Sequence, residues 1–186
     1  MADSPVIATD RLRLVPFQEH HLSERYLSWL NDRELMRYSE QRHRTHTLES
    51  CRGYWRSFTG TPNYFWAIEE TQDGLGHIGN LNAYVDRTNL LADLGIVIGE
   101  RAAKGRGYGL EAWQAACGFL FRELAIRKVT AGTLAVNQAM LKLMDAAGME
   151  RDGERKRHYL VAGEEVALVY AALFREEWEK RGVRPV

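Results

Sequence analysis

The amino-acid sequence predicts a mixed α+β fold in which an antiparallel meander precedes one strand–helix–strand crossover. Three observations support this fold class. Short segments of alternating or aromatic-rich apolar residues dominate the first half of the chain. The hydrophobic period then becomes helical in the second half. A glycine-rich turn, Gly105 to Gly109, joins an apolar strand to the first long helix of that half.

The first half of the chain holds the elements of the meander. The alternating segment Arg11–Val15 is predicted to be a strand, which Pro16 ends. Two amphipathic helices follow, one reaching about Leu30 and one capped by Thr47. Asp73-Gly74 is a hairpin signal. Further strands are predicted at Tyr64–Glu69, His77–Val85 and Asp93–Ile98.

The second half of the chain alternates helices with strands. Apolar residues from Leu110 to Leu124 recur at helical spacing, so a helix begins directly after the glycines. Asn137 is a suitable N-cap for another helix, which Gly148 ends. A charged helix, Phe174–Arg181, finishes the chain. The strands predicted in this half are Lys128–Ala135, Arg157–Val161 and Val166–Leu173.

Composition limits the class of protein. A length of 186 residues suits one domain spanning residues 1–186. The 25 basic and 25 acidic residues balance, so we expect no general affinity for nucleic acid or membrane surfaces. No apolar run approaches the roughly 20 residues of a membrane span, and no signal-peptide pattern is visible. We expect a cytoplasmic protein without a metal site, in which Cys51 and Cys117 are buried free thiols.

The glycine turn is a predicted phosphate site. Glycine allows close backbone approach to a ligand, and the following helix N-terminus offers unpaired N–H groups. Lys104 and Arg106 add positive charge. The turn is not a P-loop, because no Ser or Thr follows in register. It is not the dinucleotide fingerprint either, because its glycines run GxGxG and the next strand lacks a terminal acid. A third kind of pyrophosphate loop is therefore needed.

Residues 104–109, KGRGYG, resemble the (Gln/Arg)-x-x-Gly-x-(Gly/Ala) pyrophosphate loop of GCN5-related N-acetyltransferases (GNATs), with Lys in the Gln/Arg place. Asn137 followed by Gly148-Met149 is similar to the fourth-helix motif of that family. The N-terminal TDRLRL and the C-terminal hairpin resemble the RimJ/RimL-type branch, whose named members acetylate protein N-termini. The resemblance implies a mostly antiparallel, twisted central sheet of about seven strands flanked by helices.

The resemblance also implies acetyl-CoA as the cosubstrate. Backbone N–H groups of the glycine turn would hold the pyrophosphate. The strand before the turn would pair with the pantetheine arm like an added strand, and Asn137 would hydrogen-bond that arm. The residues implied in binding CoA are Ile96, Val97, Ile98, Lys104, Gly105, Arg106, Gly107, Tyr108, Gly109 and Asn137.

Acetyl transfer to an amine needs a base, because an alkylammonium is protonated at pH 7. Asp93 is the first candidate, since it stands where some GNATs carry a catalytic glutamate; the alternative is an ordinary polar residue at a strand start. Glu69, at the end of the aromatic strand, is the second candidate, and the alternative is half of a solvated acidic pair with Glu70.

The leaving thiolate needs a proton from a side chain or from solvent. Many GNATs use a tyrosine seven residues after the motif asparagine, and some RimL-like members use a serine three residues after it. Met144 and Met140 occupy these places here, so the chain lacks the usual general acids. Tyr159 and Tyr108 are the side-chain candidates that remain.

The acceptor site is expected along the first two helices, their connection and the last hairpin. Arg42 and His43 of the connection, and Arg157 of the hairpin, are suited to an anionic acceptor; solvated charged surface is the alternative. The leading hypothesis is acetylation of a small amine, such as an amino sugar or its nucleotide. A protein N-terminus as acceptor and a non-catalytic CoA-binding module are the alternatives. Trp178, taken as a surface aromatic, points to a homodimer.

Overall fold

A computed structural model describes residues 4–182 of the chain. The strands are β1 Ile7–Ala8, β2 Leu12–Pro16, β3 Tyr64–Glu70, β4 Gly76–Asp86, β5 Leu91–Ile98, β6 Lys128–Leu134, β7 Glu150–Val161 and β8 Glu164–Phe174. The helices are α1 Glu24–Asn31, α2 Leu48–Arg56, α3 Tyr108–Arg122, α4 Gln138–Ala146 and α5 Arg175–Lys180. The eight strands form one sheet in the order β1-β2-β3-β4-β5-β6-β8-β7.

The sheet confirms the predicted fold class. Strands β1 to β5 form an antiparallel meander, and α3 then crosses over so that β6 lies parallel to β5. The last hairpin, β7 and β8, adds antiparallel strands beside β6. The sheet has eight strands rather than about seven. The additional strand, β1, has two residues, which is too short for a periodic pattern to show.

Helices cover both faces of the sheet and create two apolar clusters. The larger cluster lies under α3, whose residues Trp113, Cys117, Leu120 and Phe121 are buried at the helical spacing predicted from the sequence. The smaller cluster lies under α1 and α2 and contains Phe17, Tyr26, Trp29, Cys51, Phe65 and Ala67. Both cysteines are therefore buried free thiols, as expected.

Helix ends follow the predicted capping residues. Thr47 accepts a hydrogen bond from the N–H of Ser50 (3.1 Å), and Ser50 Oγ accepts one from the N–H of Thr47 (2.9 Å), which satisfies two donors that the first turn of α2 leaves free. Asn137 accepts from the N–H of Met140 at the start of α4 (3.3 Å). Gly148 follows α4 with a φ of 81°, a left-handed conformation that glycine adopts without strain.

Two predictions near the C-terminus are wrong. Strand β7 begins at Glu150, not at Arg157. The sequence did not show its first half because this edge strand is exposed on both faces and has no polar–apolar alternation. Trp178 is 8% exposed rather than a surface residue: its ring lies 5.4 Å from that of Phe121 and 5.2 Å from the Arg122 guanidinium. The tryptophan completes the core, so it gives no ground for a dimer.

No helix within residues 4–182 combines the length and the apolar character that crossing a bilayer requires.

The close contact of β4 with β5 at Gly79 can be tested by measuring stability. A Cβ added at Gly79 would lie 2.3 Å from the backbone oxygen of Val97, which cannot move without shifting β5. We expect Gly79→Ala to lower the free energy of unfolding by about 1–3 kcal/mol in urea titrations followed by circular dichroism. Gly153→Ala is the matched control, because no atom lies within 4 Å of its added Cβ. Equal midpoints for the two variants would contradict this account of the packing.

Candidate active site

A gap between β5 and β6 is the main feature of the sheet near the glycine turn. The two strands pair only from Leu91–Asp93 to Lys128–Thr130, and they separate afterwards. Both continue to pair with their outer neighbours, β4 and β8. The segment Leu94–Ile98 therefore borders a gap inside the sheet, with one backbone edge available to a ligand.

Backbone hydrogen bonds determine which residues of β5 face this gap. The N–H of Gly99, just after β5, donates to the Ile78 oxygen of β4 (2.9 Å). The N–H of Arg127, just before β6, donates to the Leu90 oxygen just before β5 (2.9 Å). Backbone groups of successive strand residues point to opposite sides. Odd-numbered residues of β5 therefore bond to β4, and even-numbered residues face the gap.

This alternation narrows the set of β5 residues expected to pair with pantetheine. The N–H and C=O groups of Ile96 and Ile98 point into the gap. Val97 is paired with Asn80 of β4, so its backbone groups are used within the sheet. The sequence could not separate these three residues, because the assignment depends on the register with β4.

The glycine turn presents backbone N–H groups at the start of α3. Gly105 and Gly107 have φ values of 74° and 81°, and Gly107 is the N-cap of this 15-residue helix. Among the described residues, no acceptor is recorded for the N–H groups of Gly105 to Gly109. A Cβ on Gly109 would contact Leu143 of α4 and Ile98 of β5, so this glycine allows the close approach of α3. The turn thus has free donors and a helix dipole directed at one place.

Side chains around the turn are already paired with one another. Arg106 forms an ion pair with Asp73 of the β3–β4 hairpin, and the Tyr108 hydroxyl donates to the same carboxylate (3.2 Å). These bonds keep the pKa of Asp73 below its ordinary value. Arg11 Nε donates to Glu111 in the first turn of α3 (2.8 Å). The arginines therefore fix the shape of the turn, and the backbone carries most of its capacity for an anion.

Asn137 is both a cap and a link to β6. Its Oδ1 caps α4, and its Nδ2 donates to Thr133 Oγ1 (3.0 Å). An amide group has two N–H donors, so one remains for a ligand. Met144 is buried in the core and Met140 packs beside it, so these residues fill apolar space under the turn.

Asp93 lies where β5 and β6 separate. It is paired with Thr130 in the register, and Thr130 Oγ1 donates to Asp93 Oδ2 (2.7 Å). Asp93 remains exposed, but the protein atoms around its carboxyl displace part of the surrounding water, which raises its pKa above the ordinary value; the Thr130 hydrogen bond offsets part of this change. A carboxylate with a raised pKa at the closed end of the gap has the properties of a general base.

The structure does not bring Glu69 or Tyr159 to Asp93. Asp93 is opposite Tyr84, whereas Glu69 is opposite His77, seven positions away along β4. At about 3.3 Å per residue this separation is roughly 20 Å. Tyr159 is opposite Val166, beyond the end of β6 and a similar distance away along β8. Of the three predicted catalytic residues, Asp93 alone borders the start of the gap.

Glu69 instead belongs to a cluster with His20 and His21, whose potential ligand atoms lie within 4.8 Å of one another. The N–H of Gln18 donates to His21 Nδ1 (2.9 Å), so the proton of the neutral ring is on Nε2. That nitrogen lies 3.3 Å from Glu69 Oε1 and donates to it. A metal ion would need a deprotonated Nε2, so the hydrogen bonds do not fit a metal centre at His21.

His77 is a half-buried histidine near His21. Its ring centre lies 5.0 Å from those of His21 and Trp29, and Phe17 and Tyr26 complete the surroundings. Its Nε2 has no hydrogen-bond partner among residues 4–182. Burial and, to a smaller extent, the nearby His21 lower the pKa of His77 to about 4. This histidine is part of the apolar packing that supports α1, not of the gap.

The predicted acceptor residues are brought together only in part. Arg42 Nη2 donates to the Leu160 oxygen of β7 (3.2 Å), so the α1–α2 connection does meet the last hairpin. Its guanidinium is 12% exposed and is paired with Glu40 (2.6 Å). Arg157 is 76% exposed and paired with Glu165, and His43 lies in the exposed part of the connection. Neither predicted arginine is left with an uncompensated charge.

Several residues that border the gap were not identified from the sequence. Asn82 of β4 and Thr130 of β6 flank Asp93. Tyr170 of β8 is opposite Gly132 of β6, whose added Cβ would lie 3.3 Å from the tyrosine ring. The Arg155 guanidinium lies 5.4 Å from the centre of that ring, and no acidic partner is recorded for it in the described part of the chain. Only the strand register could have identified these side chains.

Comparison with protein families identifies the domain. Residues 11–150 match the model of the acetyltransferase (GNAT) domain, which is most of the chain. The chain therefore belongs to the GNAT acetyltransferase family, and its class is that of an acetyl-CoA-dependent N-acetyltransferase. No curated protein matches the sequence.

Solved structures of this family share the fold. An acetyltransferase from Bacillus anthracis aligns with a TM-score of 0.80 at 21% identity, covering 93% of this chain and 100% of that one. Spermidine N-acetyltransferase from Vibrio cholerae, in complex with CoA and spermine, aligns at 0.80 and 15%, covering 92% and 99%. RimL, a ribosomal L7/L12 α-N-protein acetyltransferase in complex with CoA, aligns at 0.80 and 18%, covering 93% and 99%. At these identities the similarity concerns the fold alone.

The lowered pKa of His77 should make the free energy of unfolding depend on pH. An unfolded histidine takes up a proton near pH 6.5, whereas folded His77 does so near pH 4. Between these values the unfolded chain binds the extra proton, so stability falls as the pH falls. The loss from this group is on the order of 3 kcal/mol.

We expect His77→Gln to show a flatter dependence of the unfolding free energy on pH between about 6.5 and 4 than the wild type, as measured in urea titrations. Some slope remains, because burial also lowers the pKa of His21. His43→Gln, in the exposed connection, is the matched control and retains the wild-type slope. A slope for His77→Gln equal to that of the wild type would refute this assignment.

Proposed function

We propose that this acetyltransferase transfers an acetyl group from acetyl-CoA to the primary amine of a small molecule that carries an anionic group. An amino sugar phosphate or an amino-sugar nucleotide is an amine of this kind. The observation that carries the proposal is the gap between β5 and β6, which has free backbone groups along one edge and Asp93 at its closed end. Acetyl-CoA supplies the activated acetyl thioester.

Backbone groups are the main candidates for holding the cosubstrate. The N–H groups from Gly105 to Gly109 suit a pyrophosphate at the N-terminus of α3, and Lys104 adds an exposed positive charge. The gap-facing N–H and C=O groups of Ile96 and Ile98 suit the amides of a pantetheine arm. The remaining N–H of Asn137 can donate to the same arm.

Asp93 is the proposed base, and it would take a proton from the acceptor ammonium directly or through water. Thr130 orients the carboxylate by donating to Oδ2 (2.7 Å). For the proton returned to the leaving thiolate, Tyr170 and Tyr84 lie nearer to the start of the gap than Tyr159 does. Solvent is the other source, because this face of the sheet is partly open at Asp93 and Gly132.

Arg155 supports an anionic acceptor better than the arginines predicted from the sequence. It is opposite Leu168 in the register, and that residue shares a sheet face with Tyr170. Its guanidinium lies over the Tyr170 ring, which holds it next to the gap. A guanidinium without a carboxylate partner can form paired hydrogen bonds with a phosphate or carboxylate of the acceptor.

Substitution of Asp93 tests the proposed base. We expect Asp93→Asn to lower kcat/KM for the amine about 100-fold or more, with an unchanged KM for acetyl-CoA. The wild-type rate should fall as the pH drops through the pKa of Asp93, which burial raises, and this acidic limb should disappear in Asp93→Asn. Asp145→Asn, on the exposed side of α4, is the matched control. Loss of the acidic limb in Glu69→Gln instead would assign the base to Glu69.

A panel of acceptors tests the substrate class. Thiol release from acetyl-CoA is measured with a neutral amino sugar, its phosphate, an amino-sugar nucleotide, spermidine and a peptide N-terminus. The anionic amines should give the highest kcat/KM, and Arg155→Ala should reduce this advantage about tenfold. Arg175→Ala, directly after β8 and paired with Glu179, is the matched control. Preference for spermidine or the peptide would contradict the anionic class, and stabilisation by CoA without turnover of any amine would indicate a binding module.

A further inference from the structure

The side chain of Asn82 lies across Gly95 at the start of the gap. A Cβ added at Gly95 would be 2.8 Å from Asn82 Oδ1 and 3.3 Å from Nδ2. The amide therefore occupies the space that any side chain at residue 95 would need. Asn82 and Gly95 are opposite each other in the register, and Asp93 lies two residues earlier on the same sheet face. Because Gly95 has no side chain, the Asn82 amide can reach the point at which β5 separates from β6.

The two asparagines of β4 differ in how their amides are used. Asn80 is 7% exposed, and its Nδ2 donates to the Trp66 oxygen (3.3 Å), which is the usual state of a buried amide. Asn82 is half-buried, and no hydrogen bond of its side chain is recorded within residues 4–182. An asparagine amide can accept two hydrogen bonds and donate two. Asn82 keeps this capacity free beside the proposed base.

We infer that Asn82 accepts a hydrogen bond from the acceptor amine beside Asp93, and that the two acceptors together select primary amines. The inference rests on the proposed function, because it needs Asp93 at the reacting centre. Asp93 and Asn82 are diagonal neighbours on adjacent strands, a relation in which Cα atoms are about 7–8 Å apart. That spacing leaves room for one nitrogen, with a hydrogen bond of about 2.9 Å on each side.

The chemistry of the attack explains the selection. A neutral primary amine that attacks with its lone pair carries two N–H groups, one for each acceptor. The acceptor ammonium first loses a proton to Asp93, which passes it to water, and the neutral amine then forms the new N–C bond. The resulting N–H₂⁺ group gives a proton to Asp93, the C–S bond breaks, and solvent or a tyrosine protonates the thiolate, so Asn82 exchanges no proton. A secondary amine has one N–H and leaves the Asn82 oxygen unpaired. Sites built to accept a hydrogen bond reject a substrate that lacks the donor.

The test compares a primary amine with its N-methyl derivative, using the best acceptor of the panel and thiol release from acetyl-CoA. The wild type should prefer the primary amine about tenfold or more in kcat/KM. In Asn82→Ala, kcat/KM should fall about tenfold for the primary amine and little for the N-methyl derivative, so the ratio approaches one. The KM for acetyl-CoA and the acidic limb of the pH profile should not change, because Asn82 contacts neither the cosubstrate nor the transferred proton.

Two further variants make the result specific. Gly95→Ala should reproduce the loss of selection, because its Cβ displaces the amide. Asn89→Ala, which removes an amide bonded to Asp86 outside the gap, should keep the wild-type ratio. Asn82→Ser, which keeps a smaller acceptor, tests the same point if Asn82→Ala does not fold. An unchanged ratio in folded Asn82 variants would overturn the inference, whereas a wild type that acetylates no amine would overturn the proposed function itself.

Discussion

The separation of β5 from β6 after three paired residues is the constraint on which the candidate site depends. Strands inside a sheet normally satisfy their backbone groups on both sides. Here β4 and β8 hold the two strands on their outer sides, so the inner edges stay extended without a partner between them. The gap therefore lies between two strands that the sheet holds on their outer sides. It offers hydrogen bonds in the spacing that an extended amide chain requires.

Glycines on the strands beside the gap leave space for side chains of the neighbouring strands. Gly95 and Gly132 occupy the two inner strands, and each leaves room for a side chain from the outer neighbouring strand, Asn82 and Tyr170 respectively. In the turn beyond, Gly107 takes a left-handed conformation at the start of α3. The polar side chains thus reach the gap from the outer strands, and the proposed anion site consists mainly of backbone N–H groups. Substitution at these glycines would change the site without removing any functional group.

Local signals explain what the sequence could predict. The capping residues Thr47 and Asn137 and the glycine turn act within a few residues, and the helical stripe of α3 lies within one element. These features predicted the crossover, which the sheet confirms, and they suggested the proposed anion site. The edge strand β7 gave no such signal, because a strand exposed on both faces need not alternate. Trp178 was misread for a related reason: α5 is short and charged, and its burial depends on contact with α3.

Long-range register explains what the sequence could not predict. Asp93 and Glu69 were the first and second candidates for the base, and Tyr159 was a candidate for the acid, while their places in the sheet were unknown. The pairing of β3 with β4 and of β7 with β8 carries the last two away from the gap. In the same way the register favours Arg155 over Arg157 as the arginine nearer to the gap, although only two positions separate them in the chain.

The contrast between the two halves of the site has a physical origin. A cosubstrate bound by backbone groups requires glycines at fixed spacing, and such a requirement is visible in one continuous segment. The proposed acceptor side is assembled from single residues on four strands, among them Asn82, Asp93, Gly132 and Tyr170. Each of these residues has an ordinary sequence context. Their proximity follows only from the sheet, which places an amide, a carboxylate and a phenol around one opening, and the proposed choice of amine rests on this placement.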